Sequence, residues 1–207
     1  MIAEGNVSTD VSRTNRLGKI MPDEIKEQPE KGILGEVEQQ AIVIADYDLS
    51  WPRRFHREEA KIRGALGQAA LSIEHVGSTS VPGLAAKPIV DILLVVEDSG
   101  NEDSYLPALE EADYVLRVRE PDFEEHRMFR TPEKDVHVHV LSPGSREGER
   151  LLLLRDYLRH NEEDRELYAG TKRELASRDW PSMQHYADAK TEVVEGILAR
   201  ASGSSSK

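Results

Sequence analysis

The chain has 207 residues, 38% of them apolar and 32% charged, with a formal net charge of −12 and no cysteine. That length suits one well-packed core with a subsidiary helical part, and the missing cysteines exclude disulfides and thiolate zinc sites. The acidic balance excludes broad coating of nucleic acid, which needs a basic face, but leaves room for a local basic pocket.

Residues 1–39 hold no aromatic side chain and little periodic hydrophobicity. They are expected to form a disordered extension, with a transient helix near Ile33 to Val37. A folded domain is expected over residues 40–200, divided into a sheet part (40–145) and a helical part (146–200), with 201–207 as a flexible tail. No apolar run reaches the roughly 20 residues of a membrane helix. Glu4 and Asp10 argue against a transit peptide, so a cytoplasmic location is expected.

In chain order, Ala41 to Ala45 is a short β-type run. Trp51-Pro52 opens a helical pattern with Phe55, Ile62 and Leu66 on one face, capped by Asp48 or Ser50 and ended by Gly67. Ala70 to Val76 predicts a strand with Leu71, Ile73 and His75 on one side. Ile89 to Val96 predicts a buried strand. Leu106, Leu109 and Ala112 suggest a short helix. Tyr114 to Val118, Glu124 to Arg130 and Asp135 to Leu141 predict three more strands, the last clearly alternating. Three helices follow from Arg146, broken near Asn161 and near Trp180-Pro181. The plan is α+β: a mixed sheet with flanking helices, then a C-terminal helical bundle.

The chemistry concentrates in residues 73–97. Gly77-Ser78-Thr79-Ser80 is a small-residue turn after a strand, which lets backbone approach a ligand or simply caps a turn. Asp91 stands alone inside an apolar run, which costs free energy unless a donor, a cation or a metal meets it. It reads either as a magnesium ligand for phosphoryl chemistry or as a structural acid bonded to backbone or to His75. In Val136-His137-Val138-His139-Val140 the valines take one face and both histidines the other. Their rings stand about 7 Å apart, which reads either as one pocket, where they act as a general base or bond a phosphate although one metal would not easily bind both, or as a solvated strand face. Arg155 and Arg159 share a helix face. Tyr168 with Lys172, and Tyr186 with Lys190, sit four apart. Each such pair reads as a base-stacking ring beside a phosphate-binding amine, or as a packed ring beside a solvated amine.

These residues resemble a known family. His75 to Val96, HVGSTSVPGLAAKPIVDILLVV, resembles the signature of the GrpB-like family. Asp46-Tyr47, Ser50-Trp51-Pro52, the His137-Val138-His139 strand, Arg155 to Arg159 and the two Tyr–Lys pairs extend the likeness over about residues 41–200. The resemblance implies a nucleotidyltransferase-like fold, related to DNA polymerase beta and the aminoglycoside nucleotidyltransferases. In such folds a Gly-Ser turn opens a helix, and a strand carries two acids one residue apart. A third acid follows on a later strand, and together they hold magnesium or manganese. Carried over, Gly77-Ser78 is the turn and Asp91 the first acid, but Leu93 stands at the second position. The later strand offers His137 and His139.

The resemblance therefore implies transfer of a nucleotidyl group from an NTP to a small acceptor. His75, Gly77, Ser78, Thr79, Ser80, Lys87, Arg155, Lys172 and Lys190 would bind phosphate or substrate. Asp91 would hold the ion, and His137 or His139 would position or deprotonate the acceptor. The rival readings are a non-catalytic domain for a nucleotide or CoA-like ligand, which Leu93 motivates, and a protein-interaction domain. Some relatives carry this domain joined to dephospho-CoA kinase.

Overall fold

Alternating valine, isoleucine and leucine side chains build a five-stranded mixed sheet between residues 72 and 141. Its strands are β1 (Ser72–Val76), β2 (Val90–Val95), β3 (Val115–Glu120), β4 (His126–Arg130) and β5 (Val136–Leu141), ordered β1-β2-β5-β4-β3. β2 and β5 run parallel, and every other neighbouring pair is antiparallel. The computed structural model describes residues 32–35, 42–180 and 182–204, without the side chains of 183, 184 and 204.

One face of the sheet is wholly apolar at its centre. Val90, Ile92 and Leu94 of β2 and Val136, Val138 and Val140 of β5 are buried there. Helix α1 (Ser50–Leu66) covers them with Trp51, Phe55, Ile62 and Leu66, and the short α2 (Leu106–Glu111) adds Leu109. The Asp48 carboxylate accepts from the Ser50 amide at 2.7 Å and so caps α1 from just outside it. Arg54 fastens α1 to the start of β5 through two bonds to Asp135, of 2.7 and 2.6 Å.

The other face is covered by the C-terminal helices α3 (Arg146–His160), α4 (Glu162–Ala176), α5 (Met183–Asp188) and α6 (Thr191–Ser204). Ser145 caps α3, and Asn161 both ends α3 and caps α4. This makes four helices where three are expected, because the chain breaks again at Ala189-Lys190. Val81, Leu84, Leu158, Tyr168, Val194 and Ile197 form a second core between the helices and the segment after the Gly-Ser turn.

Several expected boundaries move. Only Ala45 of the 41–45 run pairs, in an isolated bridge to Ala86, and Ala41 lies outside the described residues. Leu71 precedes β1 and is exposed. Gly32–Gly35, expected in the disordered extension, lies along the edge of β3, where Ile33 bridges Val118 and Leu34 donates to Arg117. An open strand edge offers unpaired backbone groups, which is the physical reason an extended segment settles there instead of a helix. The rest of the expected extension, and the 205–207 end of the expected tail, lie outside the described residues. Ala201 to Ser204 continue α6, anchored by the buried Ala201. Among the described residues no helix is long and apolar enough to cross a membrane.

Ile92 is fully buried at the centre of β2. Ile92→Ala is expected to lower the unfolding free energy by about 2–5 kcal/mol. Urea unfolding with an unchanged slope checks it.

Candidate functional site

The parallel register decides what surrounds Asp91. It sets Asp91 across from His137 and Leu93 across from His139. The period of two then puts Asp91, Leu93, His137 and His139 on the face opposite the apolar core. β4 continues that face, with Met128 across from His139. His126, two residues earlier on β4, shares it.

Asp91 Oδ1 lies 3.5 Å from His137 Nδ1 and 3.7 Å from His139 Nε2. The expectation that one ion would not easily serve both histidines is corrected here. The rings stand 6.4 Å apart and nearly perpendicular, and each turns a nitrogen toward Asp91. One donor atom from each of the three residues then lies within 4.8 Å of the others. The alternative partners for Asp91, backbone or His75, are replaced by this pair. Burial pushes the Asp91 carboxyl up, but the two imidazoles outweigh it and hold it far below the usual carboxylate range.

Behind the site runs a relay that the sequence reading misses. His139 Nδ1 meets His126 Nε2 at 3.0 Å, and His126 Nδ1 meets Glu120 Oε2 at 2.8 Å. Burial, then the neighbouring His139, lowers the His126 pKa. No local spacing links residue 126 to 139. The one usable signal is alternation along 126–130, which sets His126 on the polar side.

The Gly77-Ser80 turn closes over Asp91. Gly77 has φ of 68° and ψ of −175°, a conformation nearly confined to glycine. A Cβ there would stand 2.4 Å from Asp91 Oδ2. The expected helix after this turn is only the 3-10 turn Ser78–Ser80, which β-type backbone at Val81 ends. Ser80 Oγ donates to the Gly77 carbonyl at 2.6 Å, so its hydroxyl is spent on the turn. Thr79 is buried and bonds His75 Nε2 at 3.1 Å. His75 faces the apolar side, stacked on Phe55 at 4.8 Å, and burial lowers its pKa to about 4. The structure therefore brings neither His75 nor Thr79 to the Asp91 face.

Three lysines converge instead. Lys172 on α4 is 3% exposed and donates to Ser78 Oγ at 2.9 Å and to the Ala85 carbonyl. It lies 4.4 Å over the Tyr168 ring. Lys190 stands 4.7 Å and Lys87 5.6 Å from the centre of the Tyr186 ring, from two different segments. Both Tyr–Lys pairs thus pack ring against amine. Burial, then Lys190, lowers Lys172 to about 7, and burial, then Lys87, lowers Lys190 to about 8. Burial lowers Lys87 as well, and Asp91 is the carboxylate whose charge opposes the shift in all three.

Tyr186 Oη is buried with no hydrogen-bond partner among the described residues, and burial raises its pKa to about 12. Arg155 is engaged with Glu74 at 2.8 Å, Asp156 at 2.7 Å and the His75 carbonyl at 3.2 Å. It nonetheless lines a small cleft of about 40 Å³ with Gly77, Ser78, Val81, Leu154 and Tyr168.

Gly77→Ala is expected to cost about 1–3 kcal/mol of stability, read as a lower urea midpoint. An unchanged midpoint would show that neither the backbone angle nor the Asp91 contact constrains the turn. Lys172 gives a pH signature. Its folded value near 7 lies below the ordinary 10.5, so the unfolded chain binds more protons between those values. Over that window stability is expected to rise with pH, and to rise less in Lys172→Met when urea midpoints of the two are compared.

A family model described as GrpB protein matches residues 41–200. A UPF0157 protein of Halalkalibacterium halodurans is 54% identical over 161 residues, covering 78% of this chain and 83% of that one. A UPF0157 protein of Streptomyces coelicolor is 46% identical over 188 residues, covering 91% and 97%. The crystal structure of the conserved protein GrpB from Enterococcus faecalis superimposes with a TM-score of 0.71 at 31% identity, covering 80% of this chain and all 100% of that one. With the family model spanning the sheet, the Gly-Ser turn and the C-terminal helices alike, the chain belongs to the GrpB family.

Proposed function

We propose that the chain binds a nucleotide or nucleotide-like phosphate ester between the Gly77–Ser80 turn and the C-terminal helices. The observation that carries this reading is the convergence of Lys87, Lys172 and Lys190 on one carboxylate. Burial first, and for Lys172 and Lys190 a neighbouring lysine next, lowers these pKa values, which record the cost of keeping the amines charged there. A phosphate group would remove it by supplying the missing negative charge, with charge-assisted bonds from each amine. The buried Tyr186 hydroxyl, without a hydrogen-bond partner among the described residues, adds a donor on the ring that Lys87 and Lys190 approach. The Tyr168 and Tyr186 rings add apolar faces beside the amines, where a base or adenine-like ring would stack.

The nucleotidyltransferase-like scaffold that the family resemblance implies supports a nucleotide over inorganic phosphate. It does not bring the reaction with it. Leu93, where the second acid would stand, is 1% exposed among Val76, Leu141 and the α3 leucines, so no carboxylate bridges two ions there. The donor set at Asp91 does not fit magnesium, which demands oxygen ligands. Binding is accordingly the function concluded. Transfer of a nucleotidyl group stands second, favoured by the placement of Asp91 and His137 on the face that the lysines approach.

Calorimetry of the protein with ATP, GTP, CTP, UTP and coenzyme A tests the reading. At least one is expected to bind. Lys172→Met and Lys190→Met are each expected to weaken it roughly tenfold or more, since a hydrogen bond to a charged group contributes about 1.5–3 kcal/mol. Absence of binding by all five, or variants that bind like the wild type, would sink it. Pyrophosphate release above that of Asp91→Asn would promote the transfer reading.

A further inference from the structure

A two-magnesium centre needs oxygen donors and a carboxylate shared between the ions. Here the shared position is the buried Leu93, and the residue across the ladder from it is His139. What faces Asp91 is nitrogen, from His137 Nδ1 and His139 Nε2. We infer that Asp91, His137 and His139 form a site for a single divalent transition-metal ion of the zinc, cobalt or manganese class, in place of paired magnesium.

Hydrogen-bond direction supports the donor set. An ionised Glu120 carboxylate only accepts, so His126 Nδ1 donates to it across 2.8 Å. A neutral His126 then presents its Nε2 lone pair to His139 Nδ1 at 3.0 Å, which makes His139 Nδ1 the donor. In that tautomer His139 Nε2 is a lone pair aimed at Asp91 Oδ1, an acceptor, across 3.7 Å. Two lone pairs so placed repel unless a cation lies between them. A metal-bound imidazole commonly donates its second N–H to a carboxylate or another acceptor, which fixes its ring and raises its basicity. Here the Glu120–His126 pair occupies that role.

The separations agree. Distances of 3.5 and 3.7 Å from Asp91 Oδ1 are longer than direct hydrogen bonds. They are close to the edge of a coordination polyhedron, about 3.0–3.4 Å for bonds of about 2.0–2.1 Å. The 4.8 Å limit on all three donor atoms closes by small ring rotations. Two imidazoles and one carboxylate suit transition ions and leave further coordination positions. On the side of Asp91 Oδ2 the Gly77 backbone packs directly against the carboxylate, which leaves Oδ1 as the oxygen turned to the imidazoles.

The competing arrangement is a proton on His139 Nε2, giving an ion pair with Asp91 and no metal. The untagged full chain, stripped with chelator and free of any phosphate compound, separates them. It is titrated with cobalt, zinc, manganese and magnesium by calorimetry, and with cobalt also by visible absorption. One cobalt or zinc ion per chain is expected, at least 100-fold tighter than magnesium. Asp91→Asn and His137→Asn are each expected to weaken cobalt at least 100-fold, and His126→Phe about 10–100-fold. His56→Ala, on the exposed face of α1, is expected to bind as the wild type does.

Circular dichroism identifies any variant that fails to fold, and the wild-type metal series stands without the variants. The inference is overturned if the wild type binds no cobalt or zinc at one per chain, if magnesium binds as tightly, or if folded Asp91→Asn and His137→Asn both retain wild-type affinity. Because no phosphate compound is present, this outcome is independent of the phosphate reading.

Discussion

The negative charge of Asp91 is the constraint on which the rest of this structure depends. It sits on a strand whose other side chains are nearly all apolar, so the molecule has to meet it from every other direction. The parallel partner strand meets it with two imidazoles on one side. The Gly77 turn meets it with backbone alone, since any side chain there would collide with the carboxylate. Three lysines from the pre-strand loop, α4 and the α5–α6 junction meet it through the field. Each of these elements comes from a different part of the chain. The burial of one carboxylate thereby ties the sheet to the helical part more specifically than apolar packing does.

The division of labour between the two sheet faces follows. The apolar face carries α1 and supplies stability through a core that excludes charge, apart from satisfied pairs such as Tyr114 with Glu58 at 2.6 Å. The opposite face carries the groups of the candidate site: a carboxylate flanked by two imidazole nitrogens, amines lowered by burial, and a phenol without a hydrogen-bond partner among the described residues. Leu93 belongs to this face too, and it is packed by Val76, Leu141 and α3 leucines as tightly as any core residue. In the nucleotidyltransferase-like folds that the resemblance implies, an acid stands at that position. Here it supplies packing, and the histidine paired across from it turns a ring nitrogen toward Asp91.

Much of this was legible in the sequence, and the misses have physical reasons. The isolated Asp91, the Gly77-Ser78 turn and the alternating Val-His strand declare themselves because each breaks a local pattern. The α+β plan and all five strands are readable from periodicity, within a few residues at their ends. His75 misled because strand alternation places it among Leu71 and Ile73 without saying which face carries the site. Antiparallel pairing with β2 settles that, and pairing is non-local. His126 and Glu120 were invisible for the same reason: their role exists only once β4 lies beside β5. The lysine cluster was half-read, as separate i, i+4 pairs with tyrosines. Its collective property, three buried amines within the field of one carboxylate, needs three segments brought together.

The backbone edges of the sheet carry a separate consequence. On one side Gly32–Gly35 occupies hydrogen-bonding groups of β3 that would otherwise be open. On the other, Arg155 reaches the His75 carbonyl on the outer strand and holds its guanidinium between Glu74 and Asp156. One edge is covered by chain and the other is occupied by a charged side chain, two of the devices by which sheet proteins avoid pairing strand to strand with their own copies. The exposed Val115 on β3 would be an aggregation liability on a bare edge. With the covering segment in place, solubility at high concentration rests partly on residues far from the cleft and outside the 41–200 match.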